Sequence, residues 1–161
     1  MIVVADATPL IALVKLRRID LLRAIFGEIY VPDGVYHEVV VQGRQRPGAK
    51  EIREANWIHR QTVSDQAMVD LLRGELDRGE AEVLVLAEEL KADWVLLDEE
   101  RARLAARLVG RRRMGTAGVL VLAKRRGLID NVETLLDELC RQKFRLSDRV
   151  YLEALRQAGE R

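Results

Sequence analysis

Apolar residues follow two rhythms along this chain. Short unbroken runs, Ile2 to Ala5 and Trp94 to Leu97, have the length and β-branched content of strands, and Glu28-Ile29-Tyr30-Val31 reads as a short strand behind its leading glutamate. Longer stretches repeat apolar positions every three or four residues, the period of a helix with one buried face. Thr8-Pro9 predicts a helix start, with the hydroxyl as N-cap, proline at the first helical position, and Leu10, Leu13 and Val14 turned inward. A second helix is expected over Ile19 to Phe26, ended by Gly27. A third opens at Pro32-Asp33 and carries Val35, Glu38 and Val39. Gly43 to Gly48 reads as a mobile loop. A short helix over Ala49 to Ala55, an edge strand within Trp57 to Val63 and a helix from Ser64-Asp65 to Leu72 follow. Gly79 to Leu90 is the clearest helix of all. Further helices are expected over Arg101 to Leu108, Ala117 to Arg126, Leu128 to Arg141 and Ser147 to Ala158.

Strands alternating with helices define an α/β fold with a mainly parallel sheet. The 161 residues suit a single domain over 1–161, with a core over 1–126 and a helical extension over 127–161. In such sheets, sites form beyond the carboxyl ends of the strands. Asp6 and Asp98 each follow an apolar strand directly.

Composition narrows the class. Hydrophobic residues at 48% and charged residues at 33% are ordinary for a globular protein. A net charge of +1 argues against a general nucleic-acid coat. The basic residues are nevertheless clustered, at Lys15 to Arg18, at Arg101, Arg103 and Arg107, at Arg111 to Arg113 and at Lys124 to Arg126. The one cysteine, Cys140, follows Leu135, Leu136 and Leu139 and is expected as a small buried residue. The N-terminal apolar run is short, with no basic region before it, and no stretch has the length of a bilayer span. A reducing cytoplasm is the expected location.

The candidate chemistry lies in four acids, Asp6, Glu38, Glu80 and Asp98. Glu80 and Asp98 are 18 positions apart. A helix from Glu80 rises about 16 Å, and the strand ending at Asp98 returns about the same distance. If the strands of Asp6 and Asp98 are parallel neighbours, Asp6 joins them. Glu38 is less constrained, and Glu82 is a second candidate. Residues two apart on a helix differ by about 200°, so Glu80 and Glu82 cannot face one spot equally. Clustered carboxylates repel, and their natural occupant is a divalent cation, Mg²⁺ or Mn²⁺. Phosphodiester cleavage is the chemistry that follows. Glu99 and Glu100 read as solvated residues within reach of the cluster, and Arg101, Arg103 or Arg113 as partners for flanking phosphates. Three other readings compete: a phosphoacceptor receiver domain using Thr116 and Lys124, a binding protein that keeps the fold without the chemistry, and a pure interaction module. The receiver predicts an acidic pair after the first strand, and only Asp6 stands there.

Five stretches in order resemble the PIN-domain superfamily: Asp6 to Ile11, Val35 to Val39, Gly79 to Glu82, Leu96 to Glu99 and Gly115 to Leu120. The tail Phe144 to Asp148 is similar to a prokaryotic subgroup of PIN-like predicted nucleic-acid-binding proteins. The resemblance implies a three-layer α/β fold and a metal-dependent ribonuclease leaving a 5′-phosphate. It further implies Asp6, Glu38, Glu80 or Glu82, and Asp98 as acidic site residues, Thr8 and Thr116 as polar support, and in many cases a toxin paired with an antitoxin. Glu stands here at a third acidic position where the commoner toxin pattern has Asp. The apolar residues Leu135, Leu136, Leu139 and Phe144, beside Val150, Tyr151 and Leu155, raise the expectation of a homodimer.

Overall fold

Strand β1 (Val3–Ala5) is wholly buried at the centre of a five-stranded parallel sheet of order β3-β2-β1-β4-β5. The structure is a computed structural model that describes residues 1–46, 48–98 and 110–161. Strands β2 (Ile29–Pro32) and β3 (Ile58–Gln61) lie on one side of β1, and β4 (Trp94–Leu96) and β5 (Arg112–Met114) on the other. A strand with covered faces on both sides must be apolar throughout, which is why β1 and β4 are unbroken runs. The chain reverses its direction across the sheet between β3 and β4. The point of reversal lies between β1 and β4, where Val3, Val4 and Ala5 pair with Trp94, Val95 and Leu96. The strands of Asp6 and Asp98 are therefore parallel neighbours.

Helices flank this sheet in a three-layer α/β arrangement. Among the described residues they are α1 (Ala7–Lys15), α2 (Asp20–Phe26), α3 (Asp33–Tyr36), α4 (Ala49–Glu54), α5 (Gln66–Leu72), α6 (Arg78–Leu90), α7 (Thr116–Arg125), α8 (Val132–Arg141) and α9 (Asp148–Gln157). Helix α6 packs on β1, β2 and β4, while α7 meets α1, α2, α8 and α9. No helix of the described residues is long and apolar enough to cross a membrane.

Several expectations shift. Helix α1 begins at Ala7 with Asp6, not Thr8, at the N-cap, so Pro9 sits in the first turn, where an absent N–H is harmless. Helix α3 continues through a π-helical turn, His37–Val41, in which the Gln42 N–H donates to the His37 carbonyl five residues back. Arg112 and Arg113 belong to an edge strand, with the Arg112 guanidinium 4.8 Å from the Trp94 ring centroid on the next strand. Cys140 is exposed, because the buried stripe of α8 is Val132, Leu136 and Leu139. Leu136, Leu139 and Leu155 are fully buried in the chain's own core, with Leu135, Phe144, Val150 and Tyr151 packed against it. That packing accounts for the apolar stripe on which the homodimer expectation rests. The helix expected over Arg101 to Leu108 lies outside the described residues.

Candidate active site

Asp6 is the first residue past β1, and its N–H donates to the Leu96 carbonyl of β4 at 2.9 Å. This bond fixes Asp6 at the reversal point, with 6% of its surface exposed. Glu80 reaches the same region from the first turn of α6 and is as deeply buried. Asp77 caps that helix, accepting the Glu80 N–H at 2.8 Å. Asp6, Thr8, Glu38, Asp77 and Glu80 line one cavity of about 180 Å³, together with Val35 and Gly79. Glu38 is exposed at its rim, presented by the π-helical turn.

Asp98 stands apart from this cavity. It lines a neighbouring groove of about 1190 Å³, to which Thr8 also belongs, so the two spaces meet at Thr8. The Thr116 N–H and hydroxyl donate to Asp98 Oδ1 at 3.3 and 3.1 Å. Register explains this contact. Leu96 pairs with Met114, which brings the start of α7 opposite Asp98. Three helix N-termini thus serve the acids: α1 begins at Asp6, α6 at Asp77 and Glu80, and α7 at the Thr116 that holds Asp98. Their partial positive ends offset part of the repulsion among the carboxylates.

Glu82 points elsewhere. Its Oε1 accepts the Gly34 N–H at 2.8 Å, and its Oε2 accepts Arg78 Nε at 3.0 Å. It joins α6 to the first turn of α3. Asp33, at the end of β2, is also a strand-end acid, yet Arg60 holds it at 2.8 Å. That hydrogen bond, the largest influence, carries its pKa below the usual carboxylate range. Arg113 is exposed on β5 and lines the groove beside Asp98. Arg101, Arg103, Glu99 and Glu100 lie outside the described residues.

The sequence reading overlooked Asp77. Its signal is an Asp three residues before Glu80, the signature of a helix cap.

Among the described residues, the charged donors of the cavity wall are carboxylates, the hard oxygen ligands that Mg²⁺ and Mn²⁺ take. The donor set therefore suits such an ion. Among the described residues, no group of three or more His, Cys, Asp or Glu is already arranged to hold one.

A family model described as DUF3368, PIN domain, matches residues 2–160, and the chain belongs to that family. PIN domains are generally nucleases that use divalent metals, which places nucleic acid as the substrate class. Membership sets aside the receiver-domain reading. No curated protein and no solved structure matches the chain.

Proposed function

We propose that this protein is a metal-dependent endoribonuclease acting on single-stranded RNA, with Asp6, Glu38, Glu80 and Asp98 as its acidic residues and Mg²⁺ or Mn²⁺ as its cofactor. One observation carries the reading: an acid-lined cavity sits beside the reversal point of the sheet, and a groove containing Asp98 joins it at Thr8.

The role of each residue follows from its setting. Asp6 and Glu80 are nearly buried in the cavity wall, and each stands at the start of a helix, whose positive end favours its charge. Asp98 is oriented by Thr116, and Glu38 closes the open side. Asp77 holds the first turn of α6, and with it Glu80. An ordinary carboxylate, with a pKa near about 4, is a weak base at neutral pH. When bound, a divalent ion supplies the Lewis acidity that activates water and offsets charge on the phosphate. The chain's own residues then position the phosphodiester, with basic side chains such as Arg113 gripping flanking phosphates. Single strands are preferred because a recessed acidic cavity admits only a flexible backbone.

In this reading Glu80 is the ligand of its helix, and Glu82 supports it through Gly34 and Arg78. A role as the toxin of a type II pair, restrained by a small antitoxin, is the setting we favour. A short upstream reading frame encoding a DNA-binding protein supports that setting, and a lone gene argues against it.

The test is cleavage of a single-stranded RNA by purified protein with Mg²⁺, with Mn²⁺ and with excess chelator, followed by mapping of the product ends. Metal-dependent internal cuts bearing 5′-phosphates support the proposal. RNA binding without cleavage under every metal condition replaces it with the non-catalytic reading.

A further inference from the structure

We propose that the groove beside Asp98 is a binding track for single-stranded nucleic acid, gripped by the segment that links α8 to α9. The inference deepens the nuclease reading and rests on it for the direction of the strand.

Among the described residues that line the groove, five are Lys or Arg: Lys15, Arg113, Lys143, Arg145 and Arg149. The acids among those described residues are Asp98 and Glu153. Glu153 is already engaged by Arg156 Nε at 2.9 Å and by Gln157 Nε2 at 2.9 Å, so its charge is largely answered. Lys15, Lys143 and Arg145, in contrast, form no ion pair among the described residues. A concave surface carrying these three cations attracts a polyanion.

Phe144 adds a second kind of contact. It lies in the same wall between Lys143 and Arg145, partly buried against the core and partly open. An aromatic face held between two cations suits an unstacked base with phosphates on either side. A duplex keeps its bases stacked and cannot use it. The occupant is therefore a single strand, and its path leads to Thr8, where groove and acid cavity meet.

The backbone fixes this wall. The Phe144 N–H donates to the Leu139 carbonyl at 2.9 Å, and the Lys143 N–H to the Cys140 carbonyl at 3.0 Å. This is the double bond pattern of a Schellman helix end, whose left-handed position glycine usually fills. Lys143 fills it here at φ 65°, so the chain keeps a cation at a position where glycine is conformationally easier.

That strain supplies the test. Full-length protein is titrated in chelator against a short fluorescent oligouridine, with salt varied, and thermal stability is followed alongside. Lys143→Gly is expected to be at least as stable as the parent and to bind more weakly. Lys143→Ala/Arg145→Ala is expected to lower the slope of log affinity against log salt by about 1.4, from about 0.7 per lost contact. Phe144→Leu is expected to weaken binding at least about fivefold. Lys50→Ala/Arg53→Ala, exposed on α4 and outside both cavities, serves as the charge control and is expected to change little. An unchanged salt slope in the groove variant, or equal losses in the control, overturns the track. So does a parent protein that binds duplex as well as single strand, or that binds no nucleic acid at low salt. Cleavage by the parent is scored separately: a lost salt slope without cleavage keeps the track and removes the nuclease, and cleavage with an unchanged slope does the reverse.

Discussion

Thr116 gives both its backbone N–H and its hydroxyl to the same oxygen of Asp98, at 3.3 and 3.1 Å. The pair spans β4 and the start of α7 and fixes the orientation of the one proposed site acid that lies in the groove. Thr116→Val keeps the backbone donor and removes the hydroxyl. Cleavage is expected to fall about tenfold, the scale at which loss of an orienting partner weakens a metal site. Thr116→Ser is expected to restore most of it. Initial rates on one RNA substrate check both, and equal activity in the valine variant contradicts the orienting role.

Glu80 and Glu82 divide into chemistry and support. Glu80→Gln is expected to abolish cleavage in a folded protein, because its place is the cavity wall. Glu82→Gln removes a charged acceptor from the Gly34 N–H and Arg78, and is expected to lower stability by about 2 kcal/mol. Its cleavage remains metal-dependent. Denaturation curves and rates on the two variants separate the roles, and the opposite pattern reverses the assignment.

Glu160 ties three elements together. It accepts Lys124 Nζ at 2.9 Å and the N–H groups of Val132 and Glu133 at 2.7 and 3.0 Å. Burial pushes its pKa up, but the lysine and the two N–H donors outweigh it, and the net shift is downward. A depressed carboxylate stabilises the fold above the ordinary glutamate range, and that contribution is lost as pH falls through the lowered value. Glu160→Gln is expected to flatten this acid-side loss and to cost about 2 kcal/mol at neutral pH. Melting temperature against pH for parent and variant checks the sign.

Much of this arrangement is legible in the chain, for definite physical reasons. β1 and β4 are covered on both faces, so their residues form unmistakable apolar runs. That Asp6 and Asp98 each follow a strand is legible from these runs, whereas the strands' being parallel neighbours is set by the sheet order. β5 is different: Arg112 and Arg113 are exposed on an edge strand, and charged edge residues read as a surface cluster. Without β5 the sequence shows neither the β4–β5 register nor the Thr116 contact that sets Asp98 in the groove. The π-helical turn beneath Glu38 leaves no mark in the helical period. Asp77 is legible as a cap only when the helix begins at Arg78, because the apolar period alone first shows at Gly79 to Leu90.

Metal binding is the next consequence. Mn²⁺ is expected to raise the stability of the metal-free protein, by about 2.7 kcal/mol at a hundredfold excess over its dissociation constant. Asp6→Asn is expected to remove most of that gain, since Asp6 is buried in the cavity wall beside Glu80. Thermal melts with and without the ion check this, and an unchanged gain in the variant removes Asp6 from the site.

The most direct measurement compares cleavage and binding of one single-stranded RNA by the parent protein and by Asp98→Ala, each with Mg²⁺ and with chelator. The parent is expected to cut only with metal. The variant is expected to bind as tightly or slightly more tightly, since a negative charge leaves the groove, and to cut not at all. Equal cleavage by both proteins, or full activity in chelator, contradicts the account.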